Sequence, residues 1–175
     1  MNRVYHFLHK QYLLKQILFY YLCTMKIENV IKQATDFKSN HHKMLVNMIY
    51  TGNWLRDEHM RIFKQFDLLP QHYNVLRIIK GSMPNPITPR DIKEVLIDKA
   101  SDLTRLIDKL TKLGYVKRNL CPSNRRQMDI SLTEQGLALM EEMDKPLEEF
   151  IKKVEANISG EQAGQLSDLL DTLRG

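Results

Sequence analysis

The spacing of apolar residues along the chain predicts a mainly helical protein with one small β-hairpin. From Phe37 to Phe66, apolar side chains recur every three or four residues, which is the spacing along one face of a long helix. The same spacing returns in four later segments, at 73–79, 103–113, 140–154 and 166–173. By contrast, apolar and polar residues alternate from Met128 to Leu132, which is the period of a half-buried strand.

Capping residues divide the central part of the pattern into two helices joined by a short turn. Thr88 is the predicted N-cap of the first helix, with Pro89 in its first position and Asp91 placed to complete a capping box. A second helix is predicted to start within 98–101 and to end at Gly114. Strands over 115–120 and 128–132 follow, and they are joined by a tip, residues 121–126, that contains two arginines. The segment therefore predicts a helix-turn-helix followed by a wing.

Similar signals bound the flanking helices. Pro70 and Gly81 are the predicted start and end of the helix that precedes the helix-turn-helix. Thr133 is the predicted cap of a long helix that Pro146 should bend, and Ser159 opens a capping box for a last, leucine-rich helix. The stripe from 140 to 154 follows a heptad, which is more apolar surface than one small domain needs. It therefore suggests pairing between subunits.

The distribution of charge favours a polyanionic partner for the central segment. Residues 87–133 contain ten basic and six acidic side chains, whereas residues 134–175 contain four basic and ten acidic ones. On the second helix of the pair, the face opposite the apolar stripe carries short polar groups near the N-terminus and cations further along. That order suits a helix whose first turn meets base edges while the rest contacts phosphates.

Four blocks in this order resemble the MarR-type winged helix-turn-helix regulators. The matching blocks are Leu103–Leu110, Gly114–Arg118, Asn124–Arg126 and Ser131–Gly136. The resemblance covers roughly residues 37–173. Where the family usually has an Asp two residues before the wing arginine, this chain has Asn124. In the family, an ion pair between that acid and the arginine braces the wing. In this chain we expect a neutral hydrogen bond from Asn124 in its place.

The resemblance implies a mostly α fold with a small β-hairpin wing, in which N- and C-terminal helices dimerise. The corresponding division is an N-terminal extension (1–35), dimerisation helices (36–66 and 134–175) and a DNA-binding lobe (69–133). It further implies a homodimer that binds double-stranded DNA at a pseudo-palindromic operator and represses transcription until a small aromatic or phenolic ligand releases it. The predicted DNA-binding residues are Thr88, Arg90, Lys99, Ser101, Asp102, Thr104, Arg105, Lys109, Asn124, Arg125 and Arg126.

A ligand pocket is expected from the methionines and aromatic residues of the first long helix and of the helix after it. The candidate lining residues are His41, Met44, Met48, Trp54, His72 and Tyr73. For each of these side chains taken singly, core or dimer packing is the preferred explanation. No cofactor is expected, and no group of histidine, cysteine and acidic residues has the spacing of a metal site.

The first 27 residues contain no acidic side chain and carry an apolar run of seven residues, from Ile17 to Cys23, too short to cross a bilayer. Three interpretations stay open: a start codon upstream of a true start at Met25, a basic amphipathic helix at a membrane surface, and an additional dimer-contact helix. The first is preferred because the family resemblance begins after Met25. No membrane partner is expected, and two distant cysteines fit a reducing cytoplasm.

No phosphate-binding loop, nucleophile elbow or metalloprotease motif occurs in the sequence, so an enzyme is not expected. Two alternatives to a ligand-released repressor remain. In the first, Cys121 is a redox-responsive thiol, since nearby arginines favour a thiolate. In the second, the winged helix binds protein rather than DNA. Dependence of binding on salt would distinguish a DNA-binding function from a protein-binding one.

Overall fold

The computed structural model describes residues 26–121 and 124–175. The chain divides into two compact units with their boundary between Leu55 and Arg56, and each is described by itself. The choice among start site, membrane-surface helix and dimer helix concerns residues 1–25, which lie outside the described residues. Within the described part, no helix is both long enough and apolar enough to cross a membrane.

The first unit contains a short helix, α1 (Ile27–Val30), and most of a long one, α2 (Asn40–Lys64), which continues into the second unit. The long helix starts three residues later than the apolar pattern suggested. Ser39 explains the difference, because its hydroxyl accepts a hydrogen bond from the backbone N–H of His42 at 3.1 Å, as an N-cap does. The start predicted at Phe37 is therefore corrected to Asn40.

The second unit holds the remaining elements in the predicted order. They are α3 (Pro70–Ser82), α4 (Pro89–Val95), α5 (Leu103–Lys112), β1 (Val116–Cys121), β2 (Asn124–Leu132), α6 (Glu134–Glu155) and α7 (Gly160–Arg174). Thr88, Thr133 and Ser159 each accept a backbone N–H at the start of α4, α6 and α7, as predicted. Gly81, however, lies inside α3, which ends one residue later. The mostly α fold with a two-stranded wing is thereby confirmed.

The second helix of the pair begins later than predicted. Its N-cap is Asp102, whose carboxylate accepts the backbone N–H of Arg105 at 3.2 Å. The preceding segment, where the start was expected, forms a turn around Asp98 instead. Asp98 accepts the backbone N–H of Ala100 at 3.1 Å and the hydroxyl of Ser101 at 2.7 Å. Both aspartates are good caps by residue type, but the later one opens the helix.

The wing is a longer hairpin than the alternating pattern indicated. Strands β1 and β2 are antiparallel, with Val116 opposite Leu132 and Cys121 opposite Asn124. Residues 124–126, predicted to form the tip, are therefore part of a strand. The alternation was hidden because the paired backbone continues through polar residues, which carry no apolar period. Ile87 adds an isolated antiparallel bridge to Ile130, with N–H···O distances of 2.9 and 2.8 Å.

One continuous core lies under α3, α4, α5, the wing and the first half of α6. Its fully buried members include Leu76, Ile92, Leu110, Ile130 and Met143. The heptad stripe of α6 therefore packs into the interior of the protomer over much of its length. Pairing of this helix between subunits stays a prediction. α7 differs, because none of its residues is buried and three of its four leucines are exposed.

Candidate nucleic-acid interface

Helix α5, the second helix of the helix-turn-helix and its predicted recognition helix, presents a polar face opposite its buried one. Leu106, Ile107 and Leu110 are buried in the core. Thr104 and Arg105 are exposed in its first turn, and the guanidinium-bearing side chain of Arg105 is 89% exposed. Its Nε atom lies 3.4 Å from the carboxylate of Asp102, which is a weak pair at a solvated surface. The side chains of Thr104 and Arg105 can therefore reach a ligand that approaches the start of the helix.

The turn before α5 is held by lysine ammonium groups. Lys93 Nζ donates to the carbonyl oxygens of Lys99 at 2.6 Å and Ser101 at 2.8 Å. Lys99 Nζ in turn donates to carbonyl oxygens at the end of α4, where cations complement the helix dipole. Hydrogen bonds from Ser101 and then from the side chain of Gln71 keep the pKa of Asp98 below its usual value. Lys99 and Ser101 thus shape this turn whether or not they contact DNA.

Lys109, another predicted DNA-binding residue, is attached to the turn that follows α2. Its ammonium donates to the backbone carbonyl of Asp67 at 2.5 Å and lies 3.0 Å from the carboxylate of the same residue. Asp67 has a φ of 53°, a left-handed conformation that aspartate tolerates better than most residues. The preceding residue of the same helix, Asp108, pairs with Arg118 of the wing. These pairs fix the recognition helix to its neighbours at two points.

The start of α4 and the wing lie side by side. Thr88 and Arg90 line one cleft together with Gln127 and Met128 of β2. The hydroxyl of Thr88 donates to the carboxylate of Asp91 at 2.7 Å, and Arg90 pairs loosely with Glu94 at 3.3 Å. The backbone of Asn124, Arg125 and Arg126 lies in β2, next along the same strand, whereas their side chains and that of Cys121 are outside the description. The predicted contacts of these four side chains stay predictions.

A largely apolar cavity of about 480 Å³ lies within the second unit, beneath the turn of the helix-turn-helix. Its wall includes aromatic rings from α2, α3 and α6: the Phe63 and Tyr73 ring centroids are 4.8 Å apart, and those of His59 and Phe150 are 5.7 Å apart. Burial and then the neighbouring Asp144 raise the pKa of Tyr73. Gln71, Asn74, Arg77 and Asp98 supply its polar rim.

Only Tyr73 of the predicted pocket residues lines this cavity. His41, Met44, Met48 and Trp54 lie in the first unit and are not part of the wall of this cavity. His72 is buried and has a structural role, since its Nδ1 atom accepts the backbone N–H of Leu69 at 2.9 Å at the start of α3. Burial, followed by the nearby charge of Lys109, lowers its pKa.

Several residues of the site gave no signal in the sequence. Asp67 and Asn74 are polar residues in or beside helices, and their partners lie 42 and 23 residues away along the chain. His59, Phe150 and Leu147 were assigned to apolar stripes, because a stripe shows which side chains are buried and not where a cavity remains. Among the described residues no group of three or more histidine, cysteine or acidic side chains could hold a metal ion.

Comparisons with known proteins agree with this geometry. A family model described as a winged helix DNA-binding domain matches residues 68–136. The multiple antibiotic resistance protein MarR of Salmonella typhimurium is 27% identical over 128 residues, which cover 72% of this chain and 88% of that protein.

Two solved structures extend the likeness to the fold. A MarR transcription factor from Planctomyces limnophilus is 28% identical with a TM-score of 0.61, covering 78% of this chain and 99% of that one. A MarR variant from E. coli, solved in complex with operator DNA, is 25% identical with a TM-score of 0.66, covering 79% and 99%. The resemblance drawn from the four blocks of sequence is thereby confirmed: the chain contains a winged helix DNA-binding domain and is similar in sequence and fold to MarR-type transcriptional regulators.

Proposed function

We propose that this regulator is a homodimer that binds a pseudo-palindromic operator and represses transcription until a small aromatic ligand binds it. The observation that carries the proposal is the exposed first turn of α5, where Thr104 and Arg105 project from a helix whose opposite face is buried. A threonine hydroxyl and an arginine fork at a helix start suit base edges and phosphates in a major groove. Two such helices in a dimer would address half-sites about one helical turn apart.

The other proposed DNA contacts surround this helix. Thr88 and Arg90 at the start of α4, Asp102 at the cap of α5, and Asn124, Arg125 and Arg126 on the wing flank it in sequence and fold. Lys99, Ser101 and Lys109 are proposed to act chiefly by holding the turn and the helix, since each already bonds to a neighbouring segment. A cytoplasmic location remains a prediction from the sequence.

The effector is proposed to occupy the cavity beneath the helix-turn-helix. A wall of aromatic rings with a few polar groups at the rim is typical of small-molecule sites. The cavity is lined by α2, α3, α6 and the turn before α5. Its occupant would therefore contact both the proposed DNA-binding lobe and the proposed dimerisation helices. A ligand that binds one arrangement of these segments better than another shifts the protein toward that arrangement.

Binding titrations with operator DNA selected in vitro test the DNA-binding proposal. We expect Arg105→Ala to weaken binding and to reduce the slope of log K against log salt by about one phosphate contact. Thr104→Ala should lower operator preference over scrambled DNA by roughly 1 to 3 kcal/mol, with little change in the salt slope. Arg56→Ala removes an exposed arginine outside the proposed interface and serves as the matched control.

Unchanged operator affinity and salt slope in both α5 variants would contradict the proposed interface. Arg126→Ala extends the test to the wing, where an arginine entering a narrow minor groove would favour A·T-rich flanks. Salt-independent binding of the unaltered protein to a protein partner, without operator binding, would favour the protein-interaction alternative instead.

A further inference from the structure

Gln71 lies where the cavity meets the turn before the recognition helix. Its Nε2 atom donates to the carboxylate of Asp98 at 3.4 Å, a long and therefore weak hydrogen bond. Beside it, Asn74 Oδ1 accepts the backbone N–H of Ile97 at 3.1 Å. Two side chains of α3 thus hold the turn from the cavity side, and all four residues line the cavity.

The oxygen of the Gln71 amide has no hydrogen-bond partner within the part of the chain that the structure describes. Among the described residues, no group donates a hydrogen bond to its Oε1 atom, although that atom is shielded from solvent. Exchanging the amide oxygen and nitrogen would not relieve this, because it would direct the oxygen at the carboxylate of Asp98. A buried acceptor without a donor costs free energy that a suitable ligand group would recover.

We propose that Gln71 recognises the effector, which is an aromatic molecule with a hydroxyl or N–H group. The ligand donates a hydrogen bond to the Gln71 amide and releases DNA because the amide then leaves Asp98. This inference rests on the proposed effector site. Because Oε1 is shielded in the present arrangement, a ligand can donate to it only after the amide rotates toward the cavity. That rotation breaks the weak Nε2 bond to Asp98 and removes one of the hydrogen bonds that hold the turn.

A pair of probes isolates the hydrogen bond. 2-Naphthol and 2-methoxynaphthalene have the same ring system, but only the first can donate a hydrogen bond. Calorimetry with the full chain should show 2-naphthol binding on the order of tenfold more tightly, the contribution of one hydrogen bond to a buried acceptor. Operator titrations should show that 2-naphthol weakens DNA binding at concentrations where 2-methoxynaphthalene does not.

Variants then assign the preference to one side chain. Gln71→Leu should bind both probes with similar affinity and abolish the preferential release of DNA by 2-naphthol. Gln65→Leu alters a glutamine whose Nε2 donates to the carbonyl of Ile62 at 2.9 Å, outside the cavity, and should behave like the unaltered protein. Thermal melts of each variant establish that it is folded, and the comparison of probes on the unaltered chain requires no variant.

The possible results separate this inference from the proposed function. Equal affinity for the two probes, preference retained in Gln71→Leu, or no binding of either probe would overturn the role of Gln71. If the two probes bound with equal affinity and released DNA equally, the proposed effector site would stand without a role for Gln71. If 2-naphthol bound preferentially but left operator affinity unchanged, coupling through Asp98 would be refuted, and with it the release mechanism.

Discussion

His72 makes the start of α3 sensitive to acid. Its neutral ring accepts the Leu69 N–H, and a protonated Nδ1 cannot accept this bond. Burial and then Lys109 lower its pKa, whereas Asp67 opposes that effect. The unfolded chain therefore binds the proton more readily, so the stabilising contribution is present above the unfolded pKa near 6.5 and is lost as pH falls through the folded one.

The expected result is a free energy of unfolding that decreases between about pH 7 and pH 5, with a smaller decrease in His72→Asn. The amide oxygen of Asn can take the place of Nδ1 but does not titrate in this range. Urea denaturation at several pH values would measure both proteins. An identical pH dependence in the two would show that His72 is not responsible.

Gly136 shows a residue requirement of a different kind. A Cβ atom at this position would lie 2.1 Å from the backbone carbonyl oxygen of Tyr115, where α6 begins against the entry to β1. We expect Gly136→Ala to lower the free energy of unfolding by roughly 1 to 3 kcal/mol, because one backbone must move away from the other.

The matched control for this substitution is Gly81→Ala. Gly81 also lies in a helix, but nothing is within 4 Å of the position of its added Cβ. Alanine should stabilise the helix there by up to about 1 kcal/mol, since glycine is the poorer helix former. Chemical denaturation compares the two, and equal effects would mean that the close approach at Gly136 is unimportant.

At the scale of elements, local chemistry predicted the helices better than it predicted their ends. The caps at Thr88, Thr133 and Ser159 were recognisable because cap and helix are adjacent in the chain. The start of α5 was not, since Asp98 and Asp102 are equivalent by type. The choice between them involves Gln71 and the Lys93 ammonium, which bond to the turn only in the folded protein.

The apolar stripe of α6 illustrates the same limit. Periodicity identified the buried face correctly, with Met140, Met143 and Phe150 all buried. It could not distinguish packing within the protomer from packing between protomers, because both bury the same face of a helix. For the same reason the cavity beside Phe150 could not be predicted, as it depends on how several helices meet.

At the scale of the whole molecule, the exposed leucines of α7 provide the test of dimerisation. Leu169 is 67% exposed, and Leu166 and Leu173 are exposed on the same helix. If these side chains pair two subunits, Leu169→Asp would place a charge in an apolar contact. We therefore expect a monomer by light scattering, accompanied by a large loss of operator affinity.

Leu120→Asp is the control for that experiment, because Leu120 is 61% exposed but lies on the wing. It should leave the protein dimeric at the same concentration. A Leu169→Asp protein that remains a dimer would exclude α7 as an essential part of the interface. Dimerisation through another surface would then require its own evidence.

The bridge between Ile87 and Ile130 bears on how the regulator searches a genome. Two backbone hydrogen bonds join the segment entering α4 to the wing, so these parts form one frame beside the recognition helix. If an effector loosens only the turn before α5, the segment entering α4 and the wing keep their sequence-independent attraction to phosphates. The liganded protein would then leave its operator by sliding along neighbouring DNA, and it would return within a short search once the ligand is gone.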